Sequence, residues 1–248
     1  IAQKFSFQGP LPLHPRTTGE YPWRAQEGSR RKMDPIKRWH EQLETGAAQG
    51  QDFLNRIADA GVCFGPRALC TMARPLILSP DLVVRYSRLL RGFHEAVRFV
   101  REMIVADGLH GDKDSLAVRI GLPPEALELA AIPVPDPSAA VLSRVDSFCP
   151  NGHPWIIELN AESPAGMAYG DELSRIFLSD ARLPQSQNLS PMWTTPAACA
   201  AILESYARVH GRSQKPRIAI VDLREVQTWP EFLLFQQYFI SQGLDCVV

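Results

Sequence analysis

The chain has 248 residues, enough to bury a sizeable core as one large domain or two smaller ones. Hydrophobic residues make up 45% and charged residues 21%, and the formal net charge of −1 offers no field to recruit nucleic acid or an anionic membrane. No apolar run approaches the roughly 20 residues that span a bilayer.

No charged region, apolar core and cleavage site follow one another at the N-terminus, so nothing suggests export. Cys63, Cys70, Cys149, Cys199 and Cys246 are odd in number and far apart, without a CxxC pair. They argue against a structural zinc site and a disulfide framework, and the expected setting is reducing and cytoplasmic. The chain begins at Ile1 and stops at Val248 after an apolar run, so both ends read as cut.

Residues 1–33 carry Pro10, Pro12, Pro15 and Pro22 and predict an extended arm, ordered only where it docks. The cluster Arg30, Arg31 and Lys32 reads as solvated surface. Asp34-Pro35 predicts a helix start, with Ile36, Trp39 and Leu43 at helical spacing. A second helix is expected over Gln51–Ala60, stopped by Gly61, then a short strand at Val62–Phe64. Arg67 and Arg74 read as ordinary loop arginines.

Ser79-Pro80 opens the longest expected helix, running to Asp107. Its stripe of Leu82, Tyr86, Leu89, Phe93, Val97, Val100 and Ile104 predicts a core face, with His94 as a structural neighbour. His110, Asp112 and Asp114 fit neither a zinc signature nor a calcium loop and read as a solvated turn. Short helices over Ser115–Ile120 and Pro124–Ala130 precede a stiff connector at Pro133, Pro135 and Pro137.

The stretch Arg144–Gly166, RVDSFCPNGHPWIIELNAESPAG, predicts a hairpin. Strand-like runs Ser143–Phe148 and Trp155–Asn160 flank a turn at Pro150, Asn151 and Gly152. If residues 149 and 155 close the loop, Asp146 lies opposite Glu158 and Arg144 opposite Asn160, on one face. Val145, Ile157 and Leu159 take the other face, towards the core. Opposed carboxylates repel, and a hard cation such as Mg²⁺ would relieve them through oxygen ligands. A solvated hairpin in which Arg144 neutralises one acid is the other reading of the same pattern.

Helices are then expected at Gly170–Leu178 and from Thr195-Pro196 to His210, separated by a polar loop at Pro184–Pro191. RIAIVDL, Arg217–Leu223, predicts a buried parallel strand. Thr228 and Glu231 predict a capping box for a helix carrying Phe232, Phe235 and Phe239. Gly243 ends that helix, and Leu244–Val248 starts a second strand, opening a βαβ unit without a GxGxxG or Walker motif. The expected class is α/β with α+β character: a helical N-terminal part, a central antiparallel hairpin, and the start of a Rossmann-like βαβ unit. The expected divisions are an arm at 1–33, a helical and hairpin region at 34–212, and the βαβ start at 213–248.

The run R-x-D, eleven residues, then E-x-N-A-E-S-P resembles the metal and substrate signature of the glutathionylspermidine synthetase-like ligases, which are circularly permuted ATP-grasp enzymes. The segment IAIVDLREVQTWPEFLLFQQYFISQGLDCVV is similar to the Rossmann-like subdomain that follows in that family. The resemblance implies Mg²⁺ ligation by Asp146, Glu158 and Asn160. It implies charge stabilisation by Arg144 on the transferring phosphoryl group, and a substrate contact at Ser163 beside Glu162. Glu162 and Pro164 differ from the pattern of the related glutathione synthetases. The implied reaction joins a small-molecule or peptide carboxylate to an amine through an acyl-phosphate made from ATP. The family's ATP-holding lysines lie downstream of the Rossmann-like piece, so residues 1–248 alone are expected neither to bind ATP tightly nor to turn over. The identity of the carboxylate and the amine is not legible.

Two other classes stay in view. One is a non-catalytic module keeping the hairpin as a small-ligand or assembly site. The other is a thiol hydrolase using Cys149 with His153, which lacks an evident third residue to orient the base.

Overall fold

The computed structural model describes residues 3–6, 47–71, 75–107, 115–130, 132, 140–162, 164–180 and 189–248. The expected helix at Asp34-Pro35, the basic cluster at Arg30, Arg74, the His110–Asp114 turn, the proline connector and Ser163 lie outside these residues. The protein mixes helices with small sheets, as the α/β pattern required. Among the described residues no helix is long and apolar enough to cross a membrane.

The described residues group into two compact units, each discontinuous in sequence. One draws on 1–7, 78–164 and 201–215, the other on 8–77, 165–200 and 216–248.

In the first unit, β1 (Gln3–Ser6), β4 (Arg144–Phe148) and β5 (Trp155–Asn160) form an antiparallel sheet in the order β1-β4-β5. The long helix α2 (Pro80–Asp107) matches its expected bounds. The Ser79 hydroxyl accepts from the Leu82 backbone N–H and caps its start. Its apolar stripe is less buried than the periodicity implied: Tyr86 is buried, Val100 is exposed, and Leu82, Leu89, Phe93, Val97 and Ile104 are half-buried. His94, expected beside a core face, is exposed. Asp107 Oδ2 accepts from the Leu116 N–H at 2.5 Å, tying the end of α2 to α3 (Leu116–Arg119), which Ser115 caps. The short helix α4 (Pro124–Ala130) buries Leu127.

In the second unit, α1 (Ala47–Asp59) packs Phe53 and Ile57 against Tyr169, Ile176 and Phe177 of α5 (Met167–Leu178), with the Phe53 and Phe177 rings 4.7 Å apart. After α1 the chain turns at Gly61, whose φ of +72° suits the glycine that commonly ends a helix. It then makes a small hairpin of β2 (Cys63–Phe64) and β3 (Arg67–Ala68). Arg56 reaches the far end of α5, donating to Ile176 O and Ser179 Oγ and pairing with Asp180. Such a cation suits the negative end of a helix dipole.

The βαβ unit is present: β6 (Arg217–Ala219) and β7 (Asp245–Val247) pair in parallel across α7 (Trp229–Ser241). The strand expected over Arg217–Leu223 stops at Ala219, although Ile220 N–H still reaches Val247 O. Val221 and Leu223 are 86% and 75% exposed. A two-stranded parallel sheet has no layer on which to bury a longer apolar strand.

The expected capping box is also corrected. Thr228 makes no side-chain cap, and the Glu231 carboxylate turns instead to the start of α5. It accepts from the backbone N–H groups of Gly166 at 2.8 and 2.9 Å, Ala168 at 2.9 Å and Tyr169 at 3.5 Å. Tyr169 returns the tie, its hydroxyl accepting from Glu231 N–H at 3.1 Å and donating to Cys63 O at 2.6 Å. Asp171 of α5 in turn caps α6 (Thr194–His210), accepting from the Thr194 and Thr195 N–H groups at 2.8 Å. The starts of α5 and α6 are therefore held by carboxylates remote in sequence.

Candidate functional site

The hairpin has strands Arg144–Phe148 and Trp155–Asn160, joined by a single 3₁₀ turn at Pro150–Gly152. Asn151 and Gly152 both take positive φ, +52° and +75°, the conformation that Asn-Gly pairs supply in tight turns. Arg85 of α2 donates from Nη1 to Gly152 O at 3.1 Å and pins the turn from outside.

The register brings Arg144 opposite Asn160 and Asp146 opposite Glu158, the pairing expected for a loop closed at 149 and 155. It departs nearer the turn. Ser147 pairs with Ile156 and Phe148 with Trp155, so Ile157 is the extra residue of a β-bulge. This corrects the expected core face: Val145 is buried, Leu159 is half-buried, and Ile157 is 48% exposed because the bulge takes it out of the alternation. β4 is the middle strand, and Val145, Asp146 and Ser147 are all buried. Asp146 therefore does not sit on an open polar face, whereas Glu158 is exposed.

The four polar side chains form two pairs. Arg144 Nε donates to Asp146 Oδ1 at 2.9 Å, with the side chains 12% and 9% exposed. Asn160 Nδ2 donates to Glu158 Oε1 at 2.8 Å, a bond that leaves the amide oxygen as the acceptor of Asn160. Each carboxylate thus meets a donor on its own strand, two residues away. That local pairing offsets the repulsion two opposed acids would otherwise suffer. Glu162 is exposed on a bend just beyond the strand.

Three oxygen-bearing side chains, two of them carboxylates on opposed positions, make a donor set whose chemistry fits Mg²⁺ and not a nitrogen- or sulfur-seeking metal. Among the described residues no group of three or more His, Cys, Asp and Glu gathers as a metal cluster. A cation here would rest on two carboxylates and an amide.

A second constellation lies in the same unit. Ser147 Oγ hydrogen-bonds the Tyr86 hydroxyl at 3.2 Å. Burial pushes the Tyr86 phenol above its ordinary pKa; the Ser147 bond opposes this and Cys149 adds to it. Cys149 is half-buried, and His153 is exposed in the turn. Sequence reasoning did not join Tyr86 to Ser147, because they lie 61 positions apart and no local signal links them.

Comparison with protein-family models, with curated proteins and with solved structures finds no match to this chain.

Proposed function

We propose that the chain forms part of an ATP-dependent carboxylate–amine ligase, with the β4–β5 hairpin as its cation and phosphoryl site. The observation that carries this reading is the register that opposes Asp146 to Glu158 and Arg144 to Asn160. In it, Asp146, Glu158 and Asn160 would hold Mg²⁺, which supplies neutralisation of phosphoryl charge. Arg144 presents a guanidinium two residues from Asp146 and would bind the transferring phosphoryl group or the acyl-phosphate oxygens. Glu162 and Ser163, on the stretch leaving the strand, would meet a small-molecule or peptide substrate. Such chemistry needs positioning and charge neutralisation, with no protein nucleophile.

The test is Mg²⁺-dependent ADP release by the protein carrying this chain, screened across amines and short peptides. Asp146→Ala and Glu158→Ala should each abolish release; activity retained in both would remove the assignment. A second reading, a non-catalytic small-ligand module, is favoured by the internal pairing of all four polar side chains. Binding of Mg²⁺ or nucleotide with no ADP release under any substrate would select it.

A further inference from the structure

We propose that Arg144 is a charge gate on this site, so that a divalent cation and a phosphoryl group bind there together and poorly apart. The inference rests on the cation-site reading above and concerns its regulation. Its basis is that the two residues with separate roles in that reading are bound to each other. Arg144 Nε sits 2.9 Å from Asp146 Oδ1, and both side chains are nearly withdrawn from water.

A guanidinium in that position cancels the carboxylate a cation needs and repels the cation itself. Little water screens the repulsion, because the pair lies on the middle strand of the sheet. Conversely, Asp146 holds an Arg144 donor that a phosphoryl oxygen would use. A cation arriving alone must displace Arg144 without giving it a new anion, and a phosphate arriving alone must draw Arg144 away and leave Asp146 buried and less compensated. When both arrive, Arg144 exchanges one anion for another and Asp146 exchanges one cation for another. In that exchange neither charge is left without an opposite one, which is why the joint event is favoured over either single one. Glu158, exposed, and Asn160, half-buried, are joined through a neutral amide and provide the part of the site that the gate does not cover. Linkage then requires that phosphate raise cation affinity by the same factor as the cation raises phosphate affinity.

Titration of the chain with Mn²⁺, read from loss of the free-ion paramagnetic resonance signal, tests this with and without inorganic phosphate. The native chain should take up Mn²⁺ weakly alone, and about tenfold more tightly when phosphate is present. Arg144→Gln should bind Mn²⁺ alone about tenfold more tightly than native, and phosphate should then add nothing. Arg144→Lys, which keeps a cation and is the variant to use if Arg144→Gln does not fold by circular dichroism, should stay within about twofold of native for Mn²⁺ alone. Glu158→Gln should remove the bound ion and so mark the site. Equal Mn²⁺ affinity in native and Arg144→Gln, with phosphate enhancing both and Glu158→Gln abolishing both, would overturn the gate and leave the cation site standing. A tenfold tightening in Arg144→Lys would overturn it too. Absence of any Mn²⁺ uptake at millimolar ion with phosphate present would remove the cation-site reading and the gate with it.

Discussion

Glu231→Ala removes a carboxylate that is 1% exposed and holds the first turn of α5. Two backbone donors, Gly166 N–H and Ala168 N–H, lose acceptors at 2.8–2.9 Å, while Tyr169 N–H at 3.5 Å loses little. Leaving a buried donor unsatisfied costs ~1–3 kcal/mol, so the two together set a gross loss of ~2–6 kcal/mol. Part of that is returned, because burying a charged carboxylate is itself unfavourable. Burial pushes the Glu231 pKa above the ordinary value even though the Gly166, Tyr169, Ala168 and Met167 N–H groups pull it down. A net loss of about 3 kcal/mol is expected at neutral pH. Glu231→Gln keeps an acceptor oxygen without the charge and should stay within about 1 kcal/mol of native. The raised pKa fixes the sign of the pH dependence. The folded chain binds this proton more tightly than the unfolded chain, so the Glu231 contribution is fully present below the unfolded carboxyl pKa and declines as pH rises through the folded one. Native should therefore gain on Glu231→Gln as pH is lowered towards ~4. Urea unfolding across pH measures both, with hydrogen exchange at 166–169 as the local readout. A loss below ~1 kcal/mol in Glu231→Ala with those amides still protected would refute the cap.

Asp171→Ala should cost ~2 kcal/mol in urea unfolding, because the Thr194 and Thr195 N–H groups lose their acceptor at the start of α6, while the Thr194 hydroxyl keeps Met167 O. Tyr169→Phe should cost ~1–2 kcal/mol through loss of the bond to Cys63 O. Burial, with Glu231 adding to it, pushes the Tyr169 phenol up to about 12. Ultraviolet titration should therefore show one tyrosine ionising near there, and the stability it contributes should be complete below ~10 and lost as pH climbs towards that value. Val145→Ala, at a buried position, should cost ~1–3 kcal/mol, whereas Ile157→Ala at the bulge should stay within ~0.5 kcal/mol. Replacing Asp146 alone by Leu should cost ~3 kcal/mol, while Arg144→Met with Asp146→Leu should cost less than that single change, as a double-mutant cycle in urea would read directly.

Elements with a strong local period were legible. α2 was placed to its ends by a proline start and a helical stripe, and the hairpin by alternation around Asn151-Gly152. What one strand does to the next was half legible. Asp146 was expected opposite Glu158 if residues 149 and 155 closed the loop; the closing pair is Phe148–Trp155, and it is the bulge at Ile157, which has no sequence mark of its own, that brings Glu158 opposite Asp146. What a polar side chain does at long range was not legible at all. Glu231 has the spacing of a capping box with Thr228, and its carboxylate instead serves backbone groups some 65 positions earlier, at Gly166. Either use satisfies a helix start, so local pattern carries no information about which one is taken. The stripe on α2 failed in the opposite direction. Period identifies the face that can be buried, but the depth of burial depends on how much protein lies against it.

The hairpin poses the same question about its polar face, and energetics answers part of it. An ion pair withdrawn from water is seldom retained for stability, since desolvation of both charges cancels most of their attraction. Arg144 and Asp146 are such a pair, on the middle strand of a sheet whose adjacent residues Val145 and Ser147 are also buried. Apolar residues at 144 and 146 would serve a merely structural strand as well. Exposed acids, by contrast, need no explanation, and Glu158 alone would carry no argument. The proposed cation site rests instead on the opposition of a buried, paired carboxylate to an exposed one, with Asn160 opposite Arg144 and bonded to Glu158. The comparison of single and double replacements at 144 and 146 measures what the pair itself contributes: a double variant as stable as native shows that the pair adds no net stability to the strand, and one that costs several kcal/mol, about as much as the loss of Asp146 alone, shows that it does.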